Sequence, residues 1–324
     1  MVWIKFLICA VAILWAGRKL TQYGDILAEK TGMGHAWIGI VLLAMITSLP
    51  ETANGISAVT AVNSPDLAVG NVFGACLYNM FYIAVLDIIQ FFRKKPTIFQ
   101  SLGQGNKTTG VYVFLMVLTA LVGTVLSKNG MDLVFFNVSI YTFLLFIIYA
   151  VAMRALYHGE KGSHNGELVF QHLSMFQVVF WFCFYSLVVV AAGAWLPFIG
   201  EEISSIYGWG QTLVGALFIG IATTLPELVV STSALFISPG MAVGNFIGSN
   251  LYNVFLLFLD DLFYQRGPIL AAISNTQLVL NAFLLVMLMV YVAAAFVIKP
   301  KNRSVSLVQV AIFLISLYTL FALK

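Results

Sequence analysis

Two carboxylates stand out for their setting. Glu51 closes the stretch Thr47-Ser48-Leu49-Pro50-Glu51, and Glu227 closes Thr223-Thr224-Leu225-Pro226-Glu227, each inside a long apolar run. Proline has no N–H, so the carbonyl four residues upstream, Ile46 or Ala222, loses its helical partner. The ring also bends the helix, which is expected to loosen neighbouring carbonyls such as those of Ala44 and Gly220. In hydrocarbon a freed carbonyl must find another donor or a cation. Thr47 and Glu51 are four apart and share a helical face, as do Thr223 and Glu227. Each segment therefore offers a carboxylate, a hydroxyl and carbonyls within one turn. These are hard oxygen ligands, which suit Ca²⁺, Mg²⁺ or Na⁺ and not soft metals. An acidic side chain near mid-bilayer costs about 2.5–3.5 kcal/mol and marks an ion pathway. No lysine or arginine is expected at matching depth, so the pair presents two negative charges. One divalent cation, two monovalent cations or two protons would neutralise it.

A second element also occurs twice, as GNVFGACLYN at 70–79 and GNFIGSNLYN at 244–253. Gly70/Gly74 and Gly244/Gly248 have the spacing that lets helices approach closely. Asn71 and Asn245 are read as hydrogen-bonding across helices. Asn79 lies four after Ala75, and Asn253 four after Ser249, so each pair shares a face. If that face meets the Pro-Glu turns, Asn79 and Asn253 complete an oxygen cage.

The elements that must position these residues are membrane helices. The chain has 324 residues, 61% hydrophobic and 9% charged, with mean hydropathy +0.97, against about 25% charged in a soluble domain. Lipid is its solvent. Apolar runs predict spans at 2–17, 36–62, 66–91, 109–126, 131–153, 173–199, 210–237, 240–259, 274–298 and 304–322. The N-terminus reads as a first span and not as a cleaved leader. The net charge of +3 is small and gives no sign of a nucleic-acid partner. Cys9, Cys76 and Cys183 form no CxxC, and Cys9 and Cys183 read as small buried side chains. The four histidines, His35, His158, His164 and His172, have no metal-ligand spacing. No HExxH or GxSxG occurs, so an enzyme is not expected.

Ten spans place both termini on one side. With the termini outside, the inner segments hold Arg18, Lys19, Lys30, Arg93, Lys94, Lys95, Lys107, Arg154, Lys161, Lys299, Lys301 and Arg303. The outer ones hold Lys5, Lys128, Arg266 and Lys324. By the positive-inside rule the chain is N-out and C-out. It also repeats itself. Gly17, Gly24, Thr47, Pro50 and Glu51 meet Gly193, Gly200, Thr223, Pro226 and Glu227 at a constant offset of 176, and 70–79 meets 244–253 at 174. Each copy holds an odd number of spans, so the copies lie in opposite orientations: 1–155 forms a first half of five helices and 156–324 an inverted second half. Inverted repeats of this kind characterise secondary transporters, with the site at mid-membrane where the halves meet.

The doubled Thr-Ser/Thr-Leu-Pro-Glu and Gly-Asn-x-x-Gly elements resemble those of the cation/calcium exchanger superfamily, which includes sodium/calcium and proton/calcium exchangers. The resemblance implies an all-α membrane fold of ten helices in which helices 2, 3, 7 and 8 form a core and helices 1 and 6 a sliding gate. It also implies that Glu51, Glu227, Thr47 and Thr223 hold the central cation, assisted by the Ala44 and Gly220 carbonyls. Ser48 and Thr224 then fill adjacent hydroxyl positions, and Asn79, Ser249 and Asn253 line the site. The chain departs from the superfamily pattern at Ile46 and Ala222, which replace glycines, and at Ala75, which replaces a serine. Asn253 stands where some sodium-coupled members have aspartate. The reading is an antiporter in a prokaryotic cell membrane exchanging Ca²⁺ for Na⁺, with proton coupling as the alternative and a cation channel as the competing class. The ions are cargo, and no resident cofactor is expected. Cysteine labels at Lys94 and Lys301 should react only from the cytoplasm, and labels at Lys128 and Arg266 only from outside. Reaction of Lys94 and Lys128 from one face would break the ten-span plan.

Overall fold

The computed structural model describes residues 1–30, 44–159, 174–298 and 303–323. The first residues of the second span, His35, His164, His172 and the charges Lys161, Lys299 and Lys301 lie outside the described residues. The helices are α1 (Val2–Lys30), α2 (Leu49–Ser57), α3 (Pro65–Phe92), α4 (Gln104–Lys128), α5 (Ile140–Gly159) and α6 (Met175–Tyr207). They continue with α7 (Gln211–Thr223 and Leu225–Leu235), α8 (Pro239–Phe263), α9 (Asn275–Ala293) and α10 (Ser304–Ala322). Among the described residues, 6 helices are long and apolar enough to cross a membrane, or 7 if the bent pair α7 is one span, and Ile140–Leu156 is a shorter apolar helix.

Several boundaries differ from the hydropathy reading. The first and sixth helices run well past 17 and 199, to Lys30 and Tyr207, because helix geometry carries polar residues without penalty once it leaves the apolar slab. Residues 131–139, read as helix, instead contain a hairpin of β1 (Val134–Phe135) and β2 (Val138–Ser139). Its two-residue turn, Phe136 and Asn137, has φ of 48° and 65°, the left-handed pair that a tight hairpin needs. The eighth helix continues past 259 to Phe263, which takes Asp260 and Asp261 into the fold. Cys183, expected to be buried, is exposed. An apolar run in a membrane protein can face lipid, so hydrophobicity there does not imply burial.

The bundle is held at two places by buried aspartates in equivalent positions, 174 residues apart. Asp87, near the end of α3, accepts from the Ile98 N–H (2.7 Å) and the Ser306 hydroxyl (2.5 Å), with Arg303 Nε at 3.9 Å. Asp261, near the end of α8, accepts from the Ile269 N–H (2.7 Å), the Ser139 N–H (2.8 Å) and the Thr142 hydroxyl. Each carboxylate thus ties its helix end to the following loop and to the start of the last helix of one half, α10 for Asp87 and α5 for Asp261.

Helices α1 and α6 pack along each other antiparallel. Lys5 pairs with Glu202 (2.6 Å), the Trp3 indole N–H donates to the Tyr207 hydroxyl (2.7 Å), and at the other end Tyr23 stacks on Tyr185 (5.8 Å between centroids). Each also crosses to a proline break. A Cβ on Gly17 of α1 would meet Pro226 Cγ at 2.7 Å, and one on Gly193 of α6 would meet the Pro50 carbonyl at 2.8 Å. Only glycine permits these approaches, and the two contacts are related by the 176-residue repeat. Replacing Asp261 by alanine should leave two backbone N–H groups without a buried acceptor, at about 1–3 kcal/mol each. The thermal midpoint in detergent should fall by about 5 °C or more; an unchanged midpoint would contradict the bracing role.

Candidate ion-binding site

Both proline motifs interrupt their helices as the missing N–H demands. Ser48 (φ −89°, ψ 15°) and Thr224 (φ −83°, ψ 1°) are non-helical, with Pro50 and Pro226 in the first turn of the segments that follow. The two parts of α7 are bent by 46°. Glu51 and Glu227 therefore sit at the starts of new helical segments, where the exposed N–H dipoles favour negative charge. The Ala44 and Gly220 carbonyls are not free, however. Ala44 accepts from the Ser48 N–H (3.0 Å) and the Thr47 hydroxyl (3.2 Å). Gly220 accepts from the Thr224 N–H (3.2 Å) and from the Thr223 (3.3 Å) and Thr224 (2.9 Å) hydroxyls. The expected loosening is absent because these carbonyls lie six residues before the prolines, where an N–H is still available.

The two motifs meet across the halves. The Ser48 hydroxyl donates to Glu227 Oε1 (3.2 Å), and Thr47 also lies beside Glu227. Thr223 lies beside Glu51, and the two carboxylates are close enough to interact. Each repeat thus attends the carboxylate of the other. Glu51, Glu227, Thr47, Ser48, Thr223 and Thr224 are all buried. Helix α3 reaches this point because Gly74 packs directly on Ala216, ahead of the α7 break, while Gly248 of α8 faces Ala44 (3.8 Å from a notional Cβ).

What distinguishes the site is its unanswered polarity. Both oxygens of Glu51, Oε2 of Glu227, Oδ1 of Asn79, the Ser249 hydroxyl and both polar atoms of the Asn253 side chain are buried without a partner. A buried unpaired polar group costs about 1–3 kcal/mol, and a charged one more. These atoms lie on residues of the two repeated motifs, where a ligand of positive charge would answer the carboxylates. Among the described residues no three His, Cys, Asp or Glu side chains form a metal cluster. The available set is two carboxylates with hydroxyls, amides and carbonyls, the donor chemistry of Ca²⁺ and Na⁺.

Asn71 and Asn245 do hydrogen-bond across helices. Asn71 Oδ1 accepts from the Thr223 hydroxyl (3.0 Å), and Asn245 donates to Ser231 (2.8 Å). Asn250 does not stand out in the sequence. Its Oδ1 accepts from Asn79 Nδ2 (2.9 Å) and its Nδ2 donates to the Cys76 carbonyl (3.3 Å). It thereby turns Asn79 so that the unpartnered carbonyl oxygen points elsewhere. Its counterpart at the 174-residue offset is Cys76, so comparison of the repeats could not reveal it. A further buried carboxylate, Asp260, also escapes the sequence reading, which assigns all mid-membrane charge to the two glutamates and ends the eighth span at 259.

Comparison with known proteins gives the family and the fold. Residues 1–155 and 177–323 match the family described as sodium/calcium exchanger protein. The putative antiporter CaxA of Alkalimonas amylolytica is 23% identical over 279 residues, 83% of this chain and 82% of its own. The sodium/calcium exchanger MaX1 of Methanosarcina acetivorans is 33% identical over 125 residues, 37% of this chain and 35% of its own. The fold is that of a solved structure of the sodium-calcium exchanger NCX_Mj (TM-score 0.64, 20% identity, 98% and 99% coverage) and of the H⁺/Ca²⁺ exchanger CAX (0.67, 17%, 99% and 88%). The family match defines a multi-pass cell-membrane transporter of the cation-antiporter class, not an enzyme. The chain belongs to the sodium/calcium exchanger protein family.

Asn250→Ala should release Asn79 and weaken equilibrium ⁴⁵Ca²⁺ binding about tenfold, in line with the loss of one buried hydrogen-bonding partner, with the protein still monodisperse. Unchanged binding would remove Asn250 from the site's support.

Proposed function

We propose that the chain is a secondary active antiporter that exchanges Ca²⁺ for Na⁺ by alternating access. The observation that carries this reading is the set of buried, unpartnered polar atoms on Glu51, Glu227, Asn79, Ser249 and Asn253. In the occupied state Glu51 and Glu227 clamp the cation from opposite halves, with Thr47, Thr223, Ser48 and Thr224 offering hydroxyl oxygens. The Ala44 and Gly220 carbonyls join by giving the cation the lone pairs now used by threonine hydroxyls. Two negative charges offset the dehydration of one Ca²⁺ in one half-cycle and of two monovalent ions in the other, so exchange is close to electroneutral.

The halves are 1–155 and 156–324, inverted, in a ten-span plan with both termini outside. Support for the inverted halves comes from the symmetry of the Gly17–Pro226 and Gly193–Pro50 contacts and from the antiparallel pairing of Lys5 with Glu202, and the orientation rests on the charge bias of the loops. Helices α1 and α6, each seated on the other half's proline break, are the moving gate. Sodium is preferred because Ser249 keeps a free buried hydroxyl beside the site, and the relative MaX1 is described as a sodium/calcium exchanger. Proton coupling is the second reading. It is favoured by Ala75, which lacks the hydroxyl that Ser249 offers in the other half, and by the likeness to a H⁺/Ca²⁺ exchanger fold.

The test is ⁴⁵Ca²⁺ uptake into proteoliposomes under an imposed Na⁺ or H⁺ gradient, with potential clamped by valinomycin. Uptake driven by outward Na⁺, insensitive to a pH step and nearly independent of voltage, is expected. Uptake that follows only the pH step would select the proton reading. Glu51→Gln and Glu227→Gln should each abolish exchange while leaving the protein folded, since each removes half of the charge that offsets dehydration. Near-normal uptake by either variant would remove that glutamate from the site.

A further inference from the structure

Asp260 and Asp261 are neighbours with opposite circumstances. Asp261 has its carboxylate filled by two backbone N–H groups and a hydroxyl. Asp260 is equally buried, yet its Oδ2 has no partner, and it has no ion pair among the described residues. It projects from the last turn of α8 onto α2, into the space that a side chain at position 55 would occupy. A Cβ on Gly55 would stand 2.9 Å from both Cγ and Oδ2 of Asp260. Gly55 follows Glu51 by four residues and lies on the same face of α2, about 6 Å further along the helix.

Two other groups mark the same stretch. Asn54, three residues after Glu51, is buried with both side-chain polar atoms unpartnered. The Tyr252 hydroxyl of α8 lies 3.3 Å from the hydroxyl of Thr52, the residue after Glu51. On α8 itself, Asp260 follows Asn253 by seven residues, two turns on the same face. The three carboxylates Glu51, Glu227 and Asp260 do not close into one cluster, so Asp260 forms a separate position. The repeat does not reproduce it. The counterpart of Gly55 is Ser231, which is occupied by Asn245, and the counterpart of Asp260 is Leu86. The feature belongs to one side of the membrane only.

We propose that Asp260, with Gly55 making room and the unpartnered Asn54 on the same turn of α2, is a second cation position on the route between the central site and the membrane face at which α8 ends. By the charge bias of the loops that face is the outer one. The position takes the transported cation, Ca²⁺ or Na⁺, about one helical turn before it reaches Glu51. It rests on the exchange reading for its purpose but not for its detection.

The decisive measurement uses Mn²⁺ as probe. In the Glu51→Gln/Glu227→Gln double variant, electron paramagnetic resonance titration should still find one weak Mn²⁺ equivalent, and adding Asp260→Asn should abolish it. A double variant that binds no Mn²⁺, or whose binding is unaffected by Asp260→Asn, overturns the proposal. In oriented proteoliposomes, Asp260→Asn alone should raise KM for Ca²⁺ about tenfold from the face at which α8 ends, the scale of local cation enrichment by a fixed charge, and leave the other face unchanged. Equal shifts from both faces, or none, would mean a structural carboxylate. Should Asp260→Asn fail to fold, Gly55→Ala retains the charge but displaces it and should give the same one-sided shift; its absence would be equally fatal. Failure of the exchange reading would show separately, as normal uptake by Glu51→Gln.

Discussion

Everything in this bundle is arranged around two carboxylates for which the protein supplies too few donors. Glu51 has none for either oxygen, and Glu227 has one, the Ser48 hydroxyl. A hydrophobic bundle of this composition could have avoided the cost by placing a lysine opposite them, as Lys5 faces Glu202 at the helix ends. It places hydroxyls, amides and carbonyls there instead. Under the proposed exchange reading, a cation completes such a site by answering the oxygens that the protein leaves without donors. The proline breaks make it possible, because each lets a carboxylate stand at the start of a helical segment buried within the bundle.

The same breaks connect the site to the outer helices. Gly17 of α1 touches Pro226, and Gly193 of α6 touches Pro50, so each long helix rests on the kink of the opposite half. In the proposed cycle, a cation that draws Glu51 and Glu227 together would pull on both kinks at once, and α1 and α6 would accommodate any change of bend. Ligand occupancy can move a conformational equilibrium only through contacts that differ between its states. These two glycine–proline contacts are where such a difference would be expressed. The aspartates Asp87 and Asp261 have the opposite character. Fully partnered, they fix α3 and α8 to their loops and to α10 and α5.

The candidate site stands out in the sequence because its chemistry contradicts its surroundings. Pro-Glu within an oily run, twice and at a constant offset, does nothing to pack helices against lipid, and the Asn71 and Asn245 bonds follow from the same alignment. What the sequence hides depends on geometry that no repeat or hydropathy pattern carries. Asn250 faces Cys76 across the pseudo-symmetry, so the halves do not match there. Asp260 reads as a loop charge because hydropathy falls at 259, whereas the helix runs a turn further and buries it. The hairpin at 134–139 is masked by its apolar residues, and its backbone reversal rests on Phe136 and Asn137 at positive φ. The Ala44 and Gly220 carbonyls are paired because a proline removes one N–H and not those of its neighbours.

The claim that most needs direct sight is that a divalent cation sits between Glu51 and Glu227. Crystals grown with Mn²⁺ and measured at the manganese absorption edge would show it. The account predicts an anomalous peak bridging the two carboxylates, with Thr47, Thr223 and the Ala44 and Gly220 carbonyls around it, displaced by excess Ca²⁺. A peak elsewhere in the bundle with nothing between the glutamates, or a protein saturated with Mn²⁺ in transport assays yet without a peak there, would contradict it.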